Sequence, residues 1–140
     1  MSSKVIVDTG PLVALFTHQD HFHVWATQEF KHLKSPVHTC EAVLTETLFV
    51  LGHGKHSVHS LLESLSRGWL NFDFHLAEQA PEVVRLVRRY ENIPMSLADA
   101  CLIRMAELMP ESVILTLDND FHVYRKHGRQ AIPLLLPPKS

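Results

Sequence analysis

Short apolar runs alternate with amphipathic stretches along the chain, and turn residues separate them. Val5 to Val7 is a β-branched run closed by Asp8-Thr9-Gly10-Pro11. That tetrapeptide ends a strand and opens a helix, because Pro11 suits a first helical turn and Asp8 or Thr9 can cap it. The pattern predicts helices over Leu12 to Phe16 and His21 to Leu33, the second capped by Asp20, and an extended piece at Pro36 to Thr39. Glu41 to Leu51 reads as a strongly apolar helix stopped by Gly52 and Gly54. His56 to Ser66 is amphipathic, with Val58, Leu61, Leu62 and Leu65 on one side, and Gly68 ends it. Trp69 to Phe74 reads as a strand with Trp69, Leu70, Phe72 and Phe74 as its large apolar members. Leu76 to Tyr90 reads as a helix with Val83, Val84, Leu86 and Val87 inward and Arg85, Arg88 and Arg89 mostly outward. A buried helix over Leu97 to Leu108 and a buried strand over Val113 to Leu117 follow. A short helix at Phe121 to Lys126, ending near Gly128, and an extended piece at Ala131 to Leu136 complete the chain.

Short buried strands between helices predict a three-layer α/β/α sandwich around a mostly parallel central sheet. Sites in such sheets form at the carboxyl ends of the strands. No repeat, linker or low-complexity stretch divides the chain, so residues 1–140 are expected to form one domain.

Composition narrows the picture slightly. The chain of 140 residues is 46% hydrophobic and 20% charged, with a formal net charge of -2, which suits a globular core. Without a basic excess, any polyanion site must be a local patch. Cys40 and Cys101 form no CxxC motif and are expected to be buried free thiols. The apolar run in MSSKVIVDTG is too short for a signal peptide or a membrane span, so a cytoplasmic setting away from membranes is expected.

The candidate chemistry lies in four carboxylates far apart in sequence: Asp8, Glu46, Asp99 and Asp118. Asp8 and Asp118 each close a strand-like run and precede a helix, where either also reads as a simple N-cap. Glu46 has Ala42, Val43, Phe49 and Val50 at helical neighbour positions, a face expected to be buried. A carboxylate there needs a metal or a cationic partner. Asp99 falls in Ser96-Leu97-Ala98-Asp99, which fits a capping box after Pro94, and a first-turn residue also lies at the sheet edge. Asp120 reads first as a cap and second as an accessory ligand. Thr116, just inside the strand, can bond Asp118 or a water at the same edge, or merely fill its position. If the elements share one sheet, the four acids meet at one edge, and such a cluster needs cations to neutralise it. Oxygen ligands select Mg²⁺ or Mn²⁺ over Zn²⁺. A carboxylate-held ion of that kind serves phosphodiester hydrolysis.

At these residues the chain resembles the PIN-domain ribonucleases, especially the toxin nucleases of VapBC-type toxin–antitoxin pairs. The likeness rests on Asp8 to Pro11 after the first strand, Glu46 on the third helix, Asp99 in Leu-Ala-Asp-Ala, and Thr-x-Asp-x-Asp-Phe at Thr116 to Phe121. It covers nearly the whole chain, and the ordered set is more specific than any one motif. The resemblance implies a sheet covered on both sides and Mg²⁺- or Mn²⁺-dependent cleavage of single-stranded RNA. It also implies frequent homodimers and, in toxin members, an antitoxin tail near the helices that here span Glu41 to Ser66. Carried over residue by residue, it makes Asp8, Glu46, Asp99 and Asp118 the metal-site and catalytic acids, with Asp120 accessory and water the nucleophile. The eleven histidines are a departure that the family does not explain.

Other features weigh less. His53, His56 and His59 are spaced by three, and His18, His21 and His23 crowd a boundary; both groups read as surface histidines before zinc ligands. His122 and His127 follow the Asp118 element and are candidates to touch RNA. Arg85, Arg88 and Arg89, with Arg125, Lys126 and Arg129, are the best basic clusters and read as solvated faces or as an RNA track. Two other functions compete with the nuclease. One is a non-catalytic RNA- or protein-binding module on the same fold. The other is a phospho-acceptor domain, for which Asp73 is a poor acceptor and no late lysine is suitable.

Overall fold

The structure, a computed structural model, describes residues 3–34, 36–52 and 55–139. Strand β1 (Lys4–Val7) leads into helices α1 (Thr9–Phe16) and α2 (His23–His32). Strand β2 (Val37–His38), helices α3 (Glu41–Leu51) and α4 (Lys55–Ser66) and strand β3 (Leu70–Asn71) follow. Helices α5 (Leu76–Arg89) and α6 (Leu97–Leu108) precede β4 (Ser112–Leu115). A 3-10 turn at Asn119–His122 then leads to β5 (Arg125–Lys126), β6 (Gln130–Ala131) and β7 (Leu134–Leu135).

Five strands form one parallel sheet in the order β3-β2-β1-β4-β7, flanked by the helices as an α/β/α sandwich. The apolar runs read from sequence are its centre. Ile6, Val7, Ile114 and Leu115 are wholly buried, which is why β1 and β4 carry unbroken hydrophobic residues and no alternation. The register pairs Lys4 with Ser112 and Val7 with Leu115. Strand order reverses between β1 and β4, so these two carboxyl ends flank the point where crossovers leave in opposite directions. Helix α6 packs against both strands and against α5. Cys40 and Cys101 are buried and free, as expected.

Several local expectations are corrected. Asp20 does not cap α2: its carboxylate accepts the Phe22 N–H at 2.8 Å, closing a turn before the helix, and Phe22 stands at the N-cap. β3 stops after Asn71, whose side chain accepts the Asp73 N–H at 2.9 Å and turns the chain. The helix expected over Phe121 to Lys126 is only the 3-10 turn, followed by β5. Phe121 and Tyr124 are both wholly buried, their rings meeting edge-on at 5.3 Å. The Arg125 N–H goes to the Tyr90 hydroxyl at 2.9 Å and not to a helical carbonyl, so tertiary burial overrides local propensity. The last extended piece divides into β6 and β7. β6 pairs antiparallel with β5 as a hairpin, and β7 joins the main sheet. Pro133, between them, has no N–H to donate but accepts from Ile114 at 2.9 Å.

The inward faces of two helices are narrower than expected. On α5, Val83 and Leu86 are buried, whereas Val84 and Val87 are 45% and 41% exposed. On α4, Leu61 is buried and Leu62 exposed. Of the stop signals, Gly52 ends α3 with a φ of 77°, while Gly54 lies outside the described residues. His53 and the side chain of His56 also lie outside them, so the three-residue histidine spacing carries no structural reading.

Ile114→Ala is expected to cost about 2–5 kcal/mol by emptying a central-strand position, and Val84→Ala less than about 0.5 kcal/mol. Urea unfolding of both variants checks this; comparable losses would show that Val84 is a core residue after all.

Candidate active site: an acidic cleft at the strand ends

Asp8 is the first residue past β1. Its backbone is extended, its N–H still reaches Leu115 O at 3.0 Å, and its carboxylate accepts the Thr9 N–H at 2.7 Å as the N-cap of α1. The other oxygen accepts from the Thr116 hydroxyl at 2.7 Å. Thr116, directly past β4, is wholly buried and in turn accepts the Asp118 N–H at 2.9 Å. One hydroxyl therefore ties the two strand ends together. Asp118 caps the 3-10 turn by accepting the Asp120 N–H at 2.8 Å.

The two helical acids arrive from either side. Glu46, in the middle of α3, accepts from the Thr9 hydroxyl at 3.0 Å. Its face of α3 is not the buried one expected. Val43 is buried, but Phe49 is 86% and Val50 59% exposed, and Glu46 itself is half-buried. The helix turns this side toward an opening, which removes the need for a cationic partner. Asp99 holds both roles read from the sequence. It completes the capping box of α6 with Ser96, at 3.0 Å for Asp99 N–H to Ser96 Oγ and 3.3 Å for the reverse bond. It also joins Asp8, Glu46 and Asp118 in lining one cleft of about 430 Å³.

That cleft is completed by Thr9, Gly10, Pro94, Ser96 and Leu117, so among the described residues its lining has four acids and no Lys, Arg or His. Gly10 is required by close approach: a Cβ there would stand 3.1 Å from the Leu117 side chain that forms the wall. Asp120 is not among the lining residues. Sequence reasoning missed Tyr124, whose wholly buried hydroxyl donates to Asp99 Oδ2 at 3.2 Å. Burial, then the charge of Asp99, pushes that phenol up, so it stays a donor. The only sequence signal was a hydroxyl at an apolar position shortly after the acidic motif.

The electrostatics follow from burial without counterions. Burial pushes the Asp8 carboxyl up from 3.8 to about 6; hydrogen bonds from Thr116 and Thr9 oppose this, and the charges of Asp99 and Asp118 add to it. Asp99 is also raised, first by burial and then by Asp118, against its hydrogen bonds from Ser96 and Tyr124.

The donor set fits a hard cation of a particular kind. Among the described residues, Glu46 Oε1, Asp99 Oδ1 and Asp118 Oδ2 accept no protein hydrogen bond. Their lone pairs are open while the partner oxygens are anchored. Among the same residues, no group of three His, Cys, Asp or Glu side chains is arranged to hold a metal ion by itself. Mg²⁺ is ordinarily held by one or two carboxylates and completed by water and substrate phosphate, which this cleft suits better than an all-protein cage.

The acidic cleft thus lies at the carboxyl ends of β1 and β4, the switch point at which sheets of this kind bind ligands. The PIN domain family model matches residues 5–127, and the chain belongs to the PIN-domain family. The crystal structure of Mycobacterium tuberculosis VapC20, described as a sarcin–ricin loop cleaving toxin, is similar in fold. Its TM-score is 0.75 at 22% identity, over 86% of this chain and 94% of that one. No match was found among curated proteins. Among the described residues, no helix is long and apolar enough to cross a membrane.

The raised pKa of Asp8 has a defined consequence for metal-free protein. The folded state favours neutral Asp8, so this group's stabilisation is full below pH 3.8 and is lost as pH rises through about 6. Asp8→Asn, measured by urea unfolding in EDTA, is therefore expected to stabilise the protein by about 1–3 kcal/mol at pH 7 and by much less near about pH 4. An equal effect at both pH values would show that Asp8 is not desolvated.

Proposed function

We propose that the protein is a metal-dependent endoribonuclease that hydrolyses phosphodiester bonds of single-stranded RNA, acting as the toxin of a toxin–antitoxin pair. The observation that carries this reading is the cleft lined by Asp8, Glu46, Asp99 and Asp118 without a cationic residue. Family membership and the similar fold of an RNA-cleaving toxin support it. The chain acts as one PIN-like domain.

In this reading Asp8, Glu46, Asp99 and Asp118 hold Mg²⁺ or Mn²⁺, and Asp120 steadies Asp118 through its backbone N–H. When bound, the metal supplies charge stabilisation at the phosphoryl oxygens and lowers the pKa of water. The chain's own contribution is positioning. Thr116 donates to the Asp8 carboxylate and accepts the Asp118 N–H, Thr9 holds Glu46, and Ser96 and Tyr124 hold Asp99. Water adds to phosphorus, the bond to the leaving oxygen breaks, and a proton passes to that oxygen. The four carboxylates repel the substrate until cations neutralise them, which makes metal dependence a consequence of the donor set.

The toxin assignment brings two partners. A homodimer and an antitoxin segment near α3 and α4 are expected, and the exposed Phe49, Val50 and Leu62 on those helices are suitable contact residues. The second reading is a non-catalytic binding module on the same fold. It is favoured by one observation, that no three acids among the described residues are arranged to cage an ion.

Cleavage of a pool of structured and unstructured RNAs with Mn²⁺, Mg²⁺ or EDTA decides between them. Metal-dependent cutting is expected, reduced about 100-fold or more in Asp8→Asn and about 10-fold in Thr116→Val, which loses only the positioning hydroxyl. Intact RNA under all conditions, with no Mn²⁺ binding by calorimetry, would favour the binding module. Light scattering of the purified protein is expected to give the dimer mass.

A further inference from the structure

Six of the seven arginines lie in three separate stretches of sequence: Arg85, Arg88 and Arg89; Arg104; and Arg125 and Arg129. The fold gathers these stretches. Helix α5 packs on α6, and α6 packs on β5 of the hairpin. A second cleft of about 440 Å³ opens where they meet, lined by Arg85, Arg89, Arg104 and His127 together with Glu82 and Glu107. It shares no lining residue with the acidic cleft.

Two features separate this cleft from a merely solvated basic face. First, its acids are already engaged. Glu82 pairs with Arg85 at 2.9 Å; Glu107 pairs with Arg104 at 3.1 Å through one oxygen and accepts the His127 N–H at 2.7 Å through the other. Of the lining arginines, Arg89 pairs with no carboxylate among the described residues, and the exposed Arg88 and Arg129 lie next to cleft residues in sequence. Second, the hairpin tip is held in a costly shape. His127 has a φ of 52°, in the left-handed region that non-glycine residues avoid at about 1 kcal/mol or more. Glu107 grips the His127 N–H, and the Arg89 guanidinium donates to the Gly128 carbonyl, so α5 and α6 pin the turn from both sides.

A continuous chain of contacts leads from this region to the acidic cleft. The Arg125 N–H bonds Tyr90 Oη at 2.9 Å, the Tyr90 and Tyr124 rings meet at 5.1 Å, and Tyr124 Oη donates to Asp99 at 3.2 Å. A polyanion approaching four carboxylates needs cations nearby, and the lining of the acidic cleft has none. Guanidinium groups are the side chains best matched to phosphate oxygens.

We propose that the cleft between α5, α6 and the β5–β6 hairpin is a phosphate track that holds the backbone of single-stranded RNA beside the acidic cleft. The proposal rests on the reading of the protein as a ribonuclease. It assigns affinity without sequence choice to this surface.

The test is binding of labelled single-stranded RNAs of roughly 12 nucleotides, followed by fluorescence anisotropy in EDTA so that cleavage does not intervene. Arg85→Gln/Arg89→Gln changes two exposed side chains that line the cleft; an unchanged thermal midpoint shows that the fold is kept, and Arg85→Lys/Arg89→Lys, which retains the charge, is expected to recover most of the binding. The glutamine variant is expected to bind about 10-fold more weakly at 0.1 M salt, equally for unrelated sequences, with the salt slope reduced by about 1.4. Arg67→Gln removes the seventh arginine, next to α4 and paired with Glu63 at 3.5 Å, and is expected to bind as wild type. The track is overturned if the glutamine variant keeps the wild-type affinity and slope, if Arg67→Gln loses as much, or if wild type binds no RNA. It is overturned in favour of a free-anion pocket if, by calorimetry, the glutamine variant loses inorganic phosphate binding while its RNA affinity is unchanged. The ribonuclease reading fails separately, through cleavage that is absent or is unaffected by Asp8→Asn.

Discussion

The parallel pairing of β1 with β4 is the constraint on which the rest depends. Val7 stands opposite Leu115, and the ladder continues one residue further through Asp8 N–H to Leu115 O, while Thr116 N–H extends the neighbouring β4–β7 ladder to Leu135 O. That register puts the Thr116 hydroxyl against the Asp8 carboxylate at the point where strand order reverses. A slip of one residue would turn Asp8 and Thr116 to opposite faces of the sheet and break the bond between them. The hydrophobic sheet centre thus fixes the relative position of two polar groups that it does not itself contain.

Around this pair, hydroxyls do the work that cations do in most buried carboxylate sites. The hydroxyls of Thr9, Thr116 and Tyr124 donate to the carboxylates of Glu46, Asp8 and Asp99 respectively. Hydroxyls orient a carboxylate without cancelling its charge, so the cleft retains its negative potential and its open lone pairs. The guanidinium groups are placed instead around α5 and the hairpin, where they engage Glu82, Glu107 and the Gly128 carbonyl.

The layered architecture and the four acids were legible because both are written in local patterns: continuous apolar runs for covered strands, and carboxylates at their ends. The capping box at Ser96 and Asp99 was readable for the same reason. What failed were judgements that depend on a distant partner. Phe121 and Tyr124 look helical by spacing, yet their rings are drawn into the core beside Tyr90, and the chain turns into a strand. Val84, Val87, Phe49 and Val50 are apolar but exposed, because α5 and α3 meet the rest of the protein along narrower stripes than composition suggests. The Tyr124 to Asp99 bond spans 25 residues and has no short-range signature. The union of the basic stretches depends wholly on how α5, α6 and the hairpin pack.

Asp99 shows how closely architecture and chemistry are joined. Its Oδ2 receives both the Ser96 N–H that starts α6 and the Tyr124 hydroxyl that anchors the following hairpin, and the same residue lines the cleft. One side chain therefore starts a helix, anchors a hairpin and lines the cleft, so a substitution at Asp99 reports on all three together. Glu46 stands in the middle of α3 and accepts one hydrogen bond, from Thr9, so a substitution there reports on the cleft alone.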